Sequence, residues 1–100
     1  MFKIVSGGQT GVDRAALDCA LNLNIIQSGY CPKDRKADDG PISEKYHLIE
    51  TKSNKYNSRT RMNVEHSDAT LILFWNNIFG GTYYTIKCCI ELSKPLKKIN

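Results

Sequence analysis

Ile4-Val5-Ser6-Gly7-Gly8-Gln9-Thr10-Gly11-Val12-Asp13-Arg14-Ala15-Ala16-Leu17-Asp18 is the stretch on which the fold turns. It opens on residues 2–5, a short apolar run with β-branched members that Ser6-Gly7-Gly8 stops, and this reads as a buried strand. From Gly11 the apolar positions Val12, Ala15, Ala16, Cys19, Ala20 and Leu23 recur at three- and four-residue steps, which predicts a helix. Asp13 falls in its first turn, where a carboxylate suits the positive end of the helix dipole, and Asn22 and Asn24 mark its end. A strand that runs through glycines into a helix leaves the helix's first N–H groups facing the loop.

Residues 25–30 read as a second short strand. Between 31 and 58 no clean period appears: Pro32, the charged residues 33–39 and Gly40-Pro41 make a loop, and residues 42–57 resist assignment. Ser58 is placed to cap a short helix ending near His66. Residues 69–75, Ala-Thr-Leu-Ile-Leu-Phe-Trp, give the strongest strand signal and read as a central strand buried on both faces. Residues 76–81 form a loop, Thr82 opens a second amphipathic helix carrying Tyr83, Ile86, Cys89 and Ile90, and residues 95–99 make a last strand. Strands alternating with helices predict an α/β fold: a small Rossmann-like parallel sheet of three to four strands flanked by helices, with the first strand inside. The expected organisation is one ligand-binding domain spanning residues 1–100.

Composition narrows the function. The hydrophobic fraction of 41% and charged fraction of 24% are those of a globular protein. No apolar run reaches bilayer length, so no membrane partner is expected. The N-terminus enters its strand pattern at once and leaves no room for a signal peptide, so the expected location is the cytoplasm. The net charge of +4 is spread out, and no basic face with interleaved aromatics emerges, so nucleic acid is not expected as a partner. Cys19, Cys31, Cys88 and Cys89 form no C-x-x-C pair, and His47 and His66 lack ligand spacing. Reduced thiols and no metal site are therefore expected.

In an open parallel sheet, ligands bind beyond the carboxyl ends of the strands. Three polar segments belong there: residues 6–14, 31–40 and 76–82. In the first, Gly7, Gly8 and Gly11 permit close backbone approach, Ser6, Gln9 and Thr10 add polar groups, and Arg14 adds a charge-assisted donor. The pattern is neither G-x-G-x-x-G nor a P-loop, so the backbone N–H groups and the helix end point to phosphate rather than to a specific nucleotide. Gly80-Gly81-Thr82 again precedes a helix and is expected to face the first loop across the site. Lys33 and Arg35 are candidates for phosphate, Asp13, Asp38 and Asp39 for ribose or ring groups, and Arg59 and Asn63 for ligand contact from the short middle helix.

These segments, in this order, resemble the molybdenum carrier family, a branch of the SLOG group of Rossmann-like nucleotide-binding proteins. The resemblance rests on residues 4–18 as quoted, on Gly29-Tyr30-Cys31-Pro32-Lys33, and on Ala37-Asp38-Asp39-Gly40-Pro41-Ile42. It returns at Arg59-Thr60, Asn63-Val64, Ser67-Asp68-Ala69-Thr70-Leu71-Ile72-Leu73 and Gly80-Gly81-Thr82. It implies a SLOG-type fold, and its label implies a phosphorylated pterin bearing molybdenum, although the residues themselves call for no cofactor. Family members run on to a further strand and a segment bordering the site, so part of the pocket is expected to be missing or to come from a second subunit. The helix after Gly80 lacks the threonine-then-glutamate pattern of the related nucleoside-monophosphate phosphoribohydrolases, presenting Tyr83, Tyr84 and Thr85 instead.

The resulting expectation is a binder of a small phosphate-bearing, nucleotide-like ligand that acts as carrier, sensor or sponge, with no catalytic residues. It is expected to form a homodimer or higher homo-oligomer, because so small a domain leaves apolar surface thinly covered. The alternative is a hydrolase of the phosphoribohydrolase type that cuts an N-glycosidic bond, with Asp13, Asp38 or Asp39 as acid or base.

Overall fold

A computed structural model describes residues 2–100. The elements run β1 (Lys3–Val5), α1 (Val12–Leu23), β2 (Ile26–Ser28), β3 (Tyr30–Cys31), β4 (Ile49–Glu50), α2 (Tyr56–Glu65), β5 (Thr70–Leu73), α3 (Gly80–Glu91) and β6 (Leu96–Ile99). Each pairing is parallel, and α1 and α3 serve as crossovers for β1–β2 and β5–β6. The result is the α/β, Rossmann-like class expected from the alternation of elements.

Within that class the strands bond two by two, β1–β2, β3–β4 and β5–β6, rather than in one ladder of three or four. The physical reason for one break is visible at Gly29. Its φ of 138° kinks the chain between β2 and β3, and the Ser6 carbonyl passes so close that any Cβ there would strike it. The single strand expected over residues 25–30 is therefore two. Hydrogen bonding is handed across the kink, from Ser6 N–H donating to the Ser28 carbonyl at 3.1 Å to Ile49 N–H donating to the Gly29 carbonyl at 2.9 Å.

Two core clusters hold the elements. In the first, Leu17 of α1 meets Cys31, Ile42 and Tyr46, with Ala37 and Leu48 alongside. Residues 42–48, which carried no legible period, thus supply core side chains and lead into β4. In the second, Val64 of α2 packs with Cys88 and Cys89 of α3 above Leu96 of β6. Cys31, Cys88 and Cys89 are buried free thiols filling small apolar volumes, while Cys19 is free and exposed.

Helix boundaries move slightly from expectation. The α1 C-cap, Asn24, adopts the left-handed conformation at φ 55°. Helix α2 starts at Tyr56 after an extended Lys55, so Ser58 lies inside it, and α3 starts at Gly80 rather than Thr82.

Two burial expectations are overturned. The 69–75 segment forms a strand only over Thr70–Leu73 and is buried on one face. Ile72 is 5% exposed, but Leu71 and Leu73 are 56% and 41% exposed and Trp75 is 82% exposed. Alternate residues of a strand face opposite ways, and α2 and α3 lie on the Leu96 side alone. The first strand is likewise not enclosed: β1 bonds only to β2 among the described residues, and Phe2 is 73% exposed.

Candidate functional site

The loop from Ser6 to Gly11 is pinned by its own side chains. Ser6, buried, donates from Oγ to the Asp13 carbonyl at 2.8 Å and accepts the Gly8 amide at 3.2 Å. Arg14 reaches back one turn and donates from Nε to the Gly8 carbonyl at 2.9 Å. The loop then enters α1 through Gly11, at φ 90°, with no side-chain cap, leaving first-turn N–H groups of the helix unclaimed by any side chain. Thr10 and Gly11 are exposed. Backbone donors, a helix N-terminus and a bend held from both sides are the groups from which oxyanion-binding concavities are built.

Arg59 comes to this loop from α2. Its guanidinium lies directly on Gly7, where any side chain on that residue would displace it. Nη1 is 3.2 Å from Asp13 Oδ2, in a pair whose side chains are 13% and 34% exposed. The same Asp13 oxygen accepts the Gln9 amide at 3.4 Å. Arg59 Nε is buried with no hydrogen-bond acceptor among the described residues. A buried guanidinium N–H without an acceptor is costly, and it leaves this group with more donor capacity than the protein itself uses.

A second loop closes against the first. Arg14 holds Asp39 in a two-pronged pair at 2.9 and 3.2 Å, and Gln9 Nε2 donates to the Lys36 carbonyl at 2.8 Å. The guanidinium hydrogen bond and charge hold the Asp39 carboxyl below the ordinary carboxylate range, while the same bond raises Arg14. Lys36 stacks on the Tyr56 ring at 4.9 Å, and the Tyr56 hydroxyl lies 3.5 Å from Asp38 Oδ1. Lys36 and Tyr56 were not among the expected site residues, and Asp39 was expected to meet ligand or substrate rather than Arg14. The Asp38-Asp39 pair gave no sign of which carboxylate Arg14 takes, and Tyr56 sat in the unreadable segment.

Two expected ligand contacts are engaged by the protein itself, and the second glycine pair is not joined directly to the first loop. Arg35 points its donors at backbone carbonyls of its own loop: Ile42 at 2.8 Å, Ser43 at 2.7 Å and Tyr46 at 2.9 Å. Asn63 clamps β3, accepting the Tyr30 amide at 2.7 Å and donating to the Tyr30 carbonyl at 3.0 Å. Both side chains are committed to holding the scaffold. Gly80 and Gly81 are exposed, and among the described residues no hydrogen bond or ion pair joins residues 76–82 to residues 6–14. Lys33 is exposed beside the second loop, its amide donating to the Ser53 carbonyl.

Behind the site, Tyr46 donates to Asp18 Oδ1 at 2.6 Å, and this bond to a carboxylate raises the phenol above its ordinary range. Burial pushes the Cys31 thiol up as well. A shallow concavity of about 330 Å³ lies at the other end of α1, lined by Leu21, Ile26 and His47 among others, and takes in none of the glycine-loop residues. No helix among the described residues is long and apolar enough to cross a membrane.

A family model described as the circularly permutated YpsA SLOG family matches residues 4–100. A solved structure from Syntrophus aciditrophicus SB, named "Putative molybdenum carrier protein", superposes with a TM-score of 0.96 at 43% sequence identity. The match covers 98% of this chain and 62% of that one, so the present chain spans under two thirds of the length of the protein it resembles. Among curated proteins none matches.

Proposed function

This chain belongs to the circularly permutated YpsA SLOG family, and from that premise we propose that it binds a small phosphate-bearing, nucleotide-like ligand without turning it over. The observation that carries the reading is the convergence of the uncapped α1 N-terminus, the loop amides and the Arg59 guanidinium over Gly7. Each of these is a donor suited to an oxyanion, and together they favour a phosphate over a neutral group. Lys36 on Tyr56, with Asp38 close by, offers a cation, a ring face and a hydroxyl acceptor at the loop's margin for the rest of the ligand.

A phosphorylated pterin of the molybdenum cofactor type shares this chemistry, a phosphate joined to a flat ring, and the solved neighbour's name favours including it. On this reading molybdenum is cargo. The donors at the loop are N–H groups that would hold the carrier molecule's oxyanion, and the role is that of a carrier, sensor or sponge in the cytoplasm.

Non-catalytic binding is supported by the use of two of the three candidate carboxylates in ion pairs. Asp13 is paired with Arg59, and Asp39 with Arg14. An acid or base would have to be free to exchange a proton with the substrate. Incubation with nucleoside monophosphates, ADP-ribose derivatives and cyclic nucleotides, followed by denaturation and chromatography, is expected to return ligand intact. Multiple turnovers to a base and a sugar phosphate, lost in Asp13→Ala or Asp38→Ala, would overturn this reading in favour of a phosphoribohydrolase.

The proposal extends to a homo-oligomer. Leu71 and Leu73 lie on the uncovered face of β5, Trp75 and Phe79 are exposed just beyond it, and a second copy of the chain would remove that apolar surface from water. Sedimentation at micromolar concentration is expected to show a dimer or larger species that Leu71→Lys dissociates. A wild-type monomer there would count against it.

A further inference from the structure

Asp13 is the one feature of the loop that a plain phosphate cradle does not require. Its Oδ2 draws together two donors from distant parts of the chain, the Gln9 amide at 3.4 Å and Arg59 Nη1 at 3.2 Å. Both are the kind that hold oxyanions, and Arg59 carries a further buried N–H, at Nε, with no acceptor among the described residues. A carboxylate in a first helical turn is stabilised well enough by the helix dipole while facing water. Here it turns inward and occupies the convergence point of the donors.

We infer that the Asp13 carboxylate is a built-in competitor for the anion site. In the unliganded protein it stands where a phosphate oxygen would stand, and an incoming phosphate must displace it. This deepens the phosphate-cradle reading above and rests on it. Exposure decides which partner moves. The Asp13 side chain is 34% exposed and can swing into water at little cost, whereas Arg59, at 13%, stays on Gly7. Arg14, the other arginine of the loop, is tied to Asp39 and to the Gly8 carbonyl and does not neutralise the encounter.

The consequence is selectivity by charge. A retained carboxylate beside a phosphate near −2 would repel it strongly at such short range, so binding and displacement are coupled. A phosphate dianion gains enough from Arg59 and the α1 amides to evict Asp13. A monoanionic carboxylate offers the site only what Asp13 already supplies, at the entropic cost of binding, and is excluded. Asp13 thereby acts as a specificity residue rather than a ligand contact.

Calorimetric titration of the full chain with inorganic phosphate and with acetate, on wild type and on Asp13→Asn, tests this. Asp13→Asn is expected to bind phosphate about tenfold tighter and to admit acetate that wild type rejects. A merely structural role for Asp13 predicts the reverse, weaker phosphate binding together with a lower melting temperature. Asp13→Ser, which keeps an oxygen near Gln9 without the charge, is judged by the same readout if the asparagine variant misfolds. Wild type that binds phosphate, with variants that bind it no tighter, overturns the inference and leaves the cradle standing. Phosphate taken up by neither protein sinks the cradle reading, and the inference with it.

Discussion

Arg59→Ala is expected to weaken phosphate binding about a hundredfold, the loss of one charge-assisted guanidinium contact in a partly desolvated site. The side chain stands on Gly7, is mostly buried, and faces the loop amides, so removing it takes away the cradle's principal positive charge. Its loss also frees Asp13 from its ion pair, which leaves an uncompensated carboxylate at the mouth of an anion site. Calorimetry or ligand-induced thermal shift with inorganic phosphate reads the effect. Gly7→Ala supplies an independent check, because the added Cβ occupies the place of the guanidinium while Arg59 remains in the sequence. Gly7 lies outside the positive-φ region, so that substitution does not strain the backbone. Gly8 is the wrong residue for this purpose. It sits at φ 74°, and a Cβ there would press on Leu48 and Ile42 of the first core cluster, confounding binding with folding. Normal phosphate affinity in both Arg59→Ala and Gly7→Ala would remove Arg59 from the site.

Arg35→Ala is expected to act on stability, costing about 3 kcal/mol, or on the order of 15 °C in Tm for a domain of this size. The guanidinium gathers carbonyls from Ile42, Ser43 and Tyr46, so it staples the second loop around the first core cluster. Without it those carbonyls lose a shared charged donor, and Ile42 and Tyr46 lose the scaffold that packs them against Leu17 and Cys31. Arg35→Lys should rescue only a small part, since a point charge cannot satisfy three carbonyls in a planar fork. Thermal denaturation with and without ligand separates the two possible roles. A variant that melts normally but fails to bind phosphate would return Arg35 to the ligand site.

The two arginines show why a site can be half legible. Residue type and chain position placed both near a phosphate loop, and charge alone cannot tell a ligand's partner from a scaffold's staple. What separates them is where uncommitted acceptors lie. Arg35 is surrounded by backbone carbonyls of an irregular loop that has no ladder to satisfy them. Arg59 is beside a glycine and a carboxylate, with one N–H left over. The same holds for Asn63, whose amide matches both polar groups of Tyr30 and is used up by them.

Local sequence was sufficient wherever the determinant is local. The apolar run of β1, the glycines that stop it, the three-and-four spacing of α1 and the asparagine that ends it are set by backbone sterics and side-chain periodicity within a few residues. They specified an α/β chain with a glycine-rich loop ahead of its first helix, all of it within the residues that the family match covers. Burial was a different matter. Residues 69–75 are as apolar as a doubly covered strand, yet whether Leu71 and Leu73 meet anything depends on what packs above them, and α2 and α3 both lie on the other face. Residues 42–50 have no period because their partners are far away in the chain, Leu17, Cys31 and the Arg35 fork. Only the tertiary structure could decide those contacts, and with them the placing of Arg59 over Gly7, because each brings together residues that are not neighbours in any one element, from Arg35 and Ile42 seven apart to Gly7 and Arg59 in different halves of the chain.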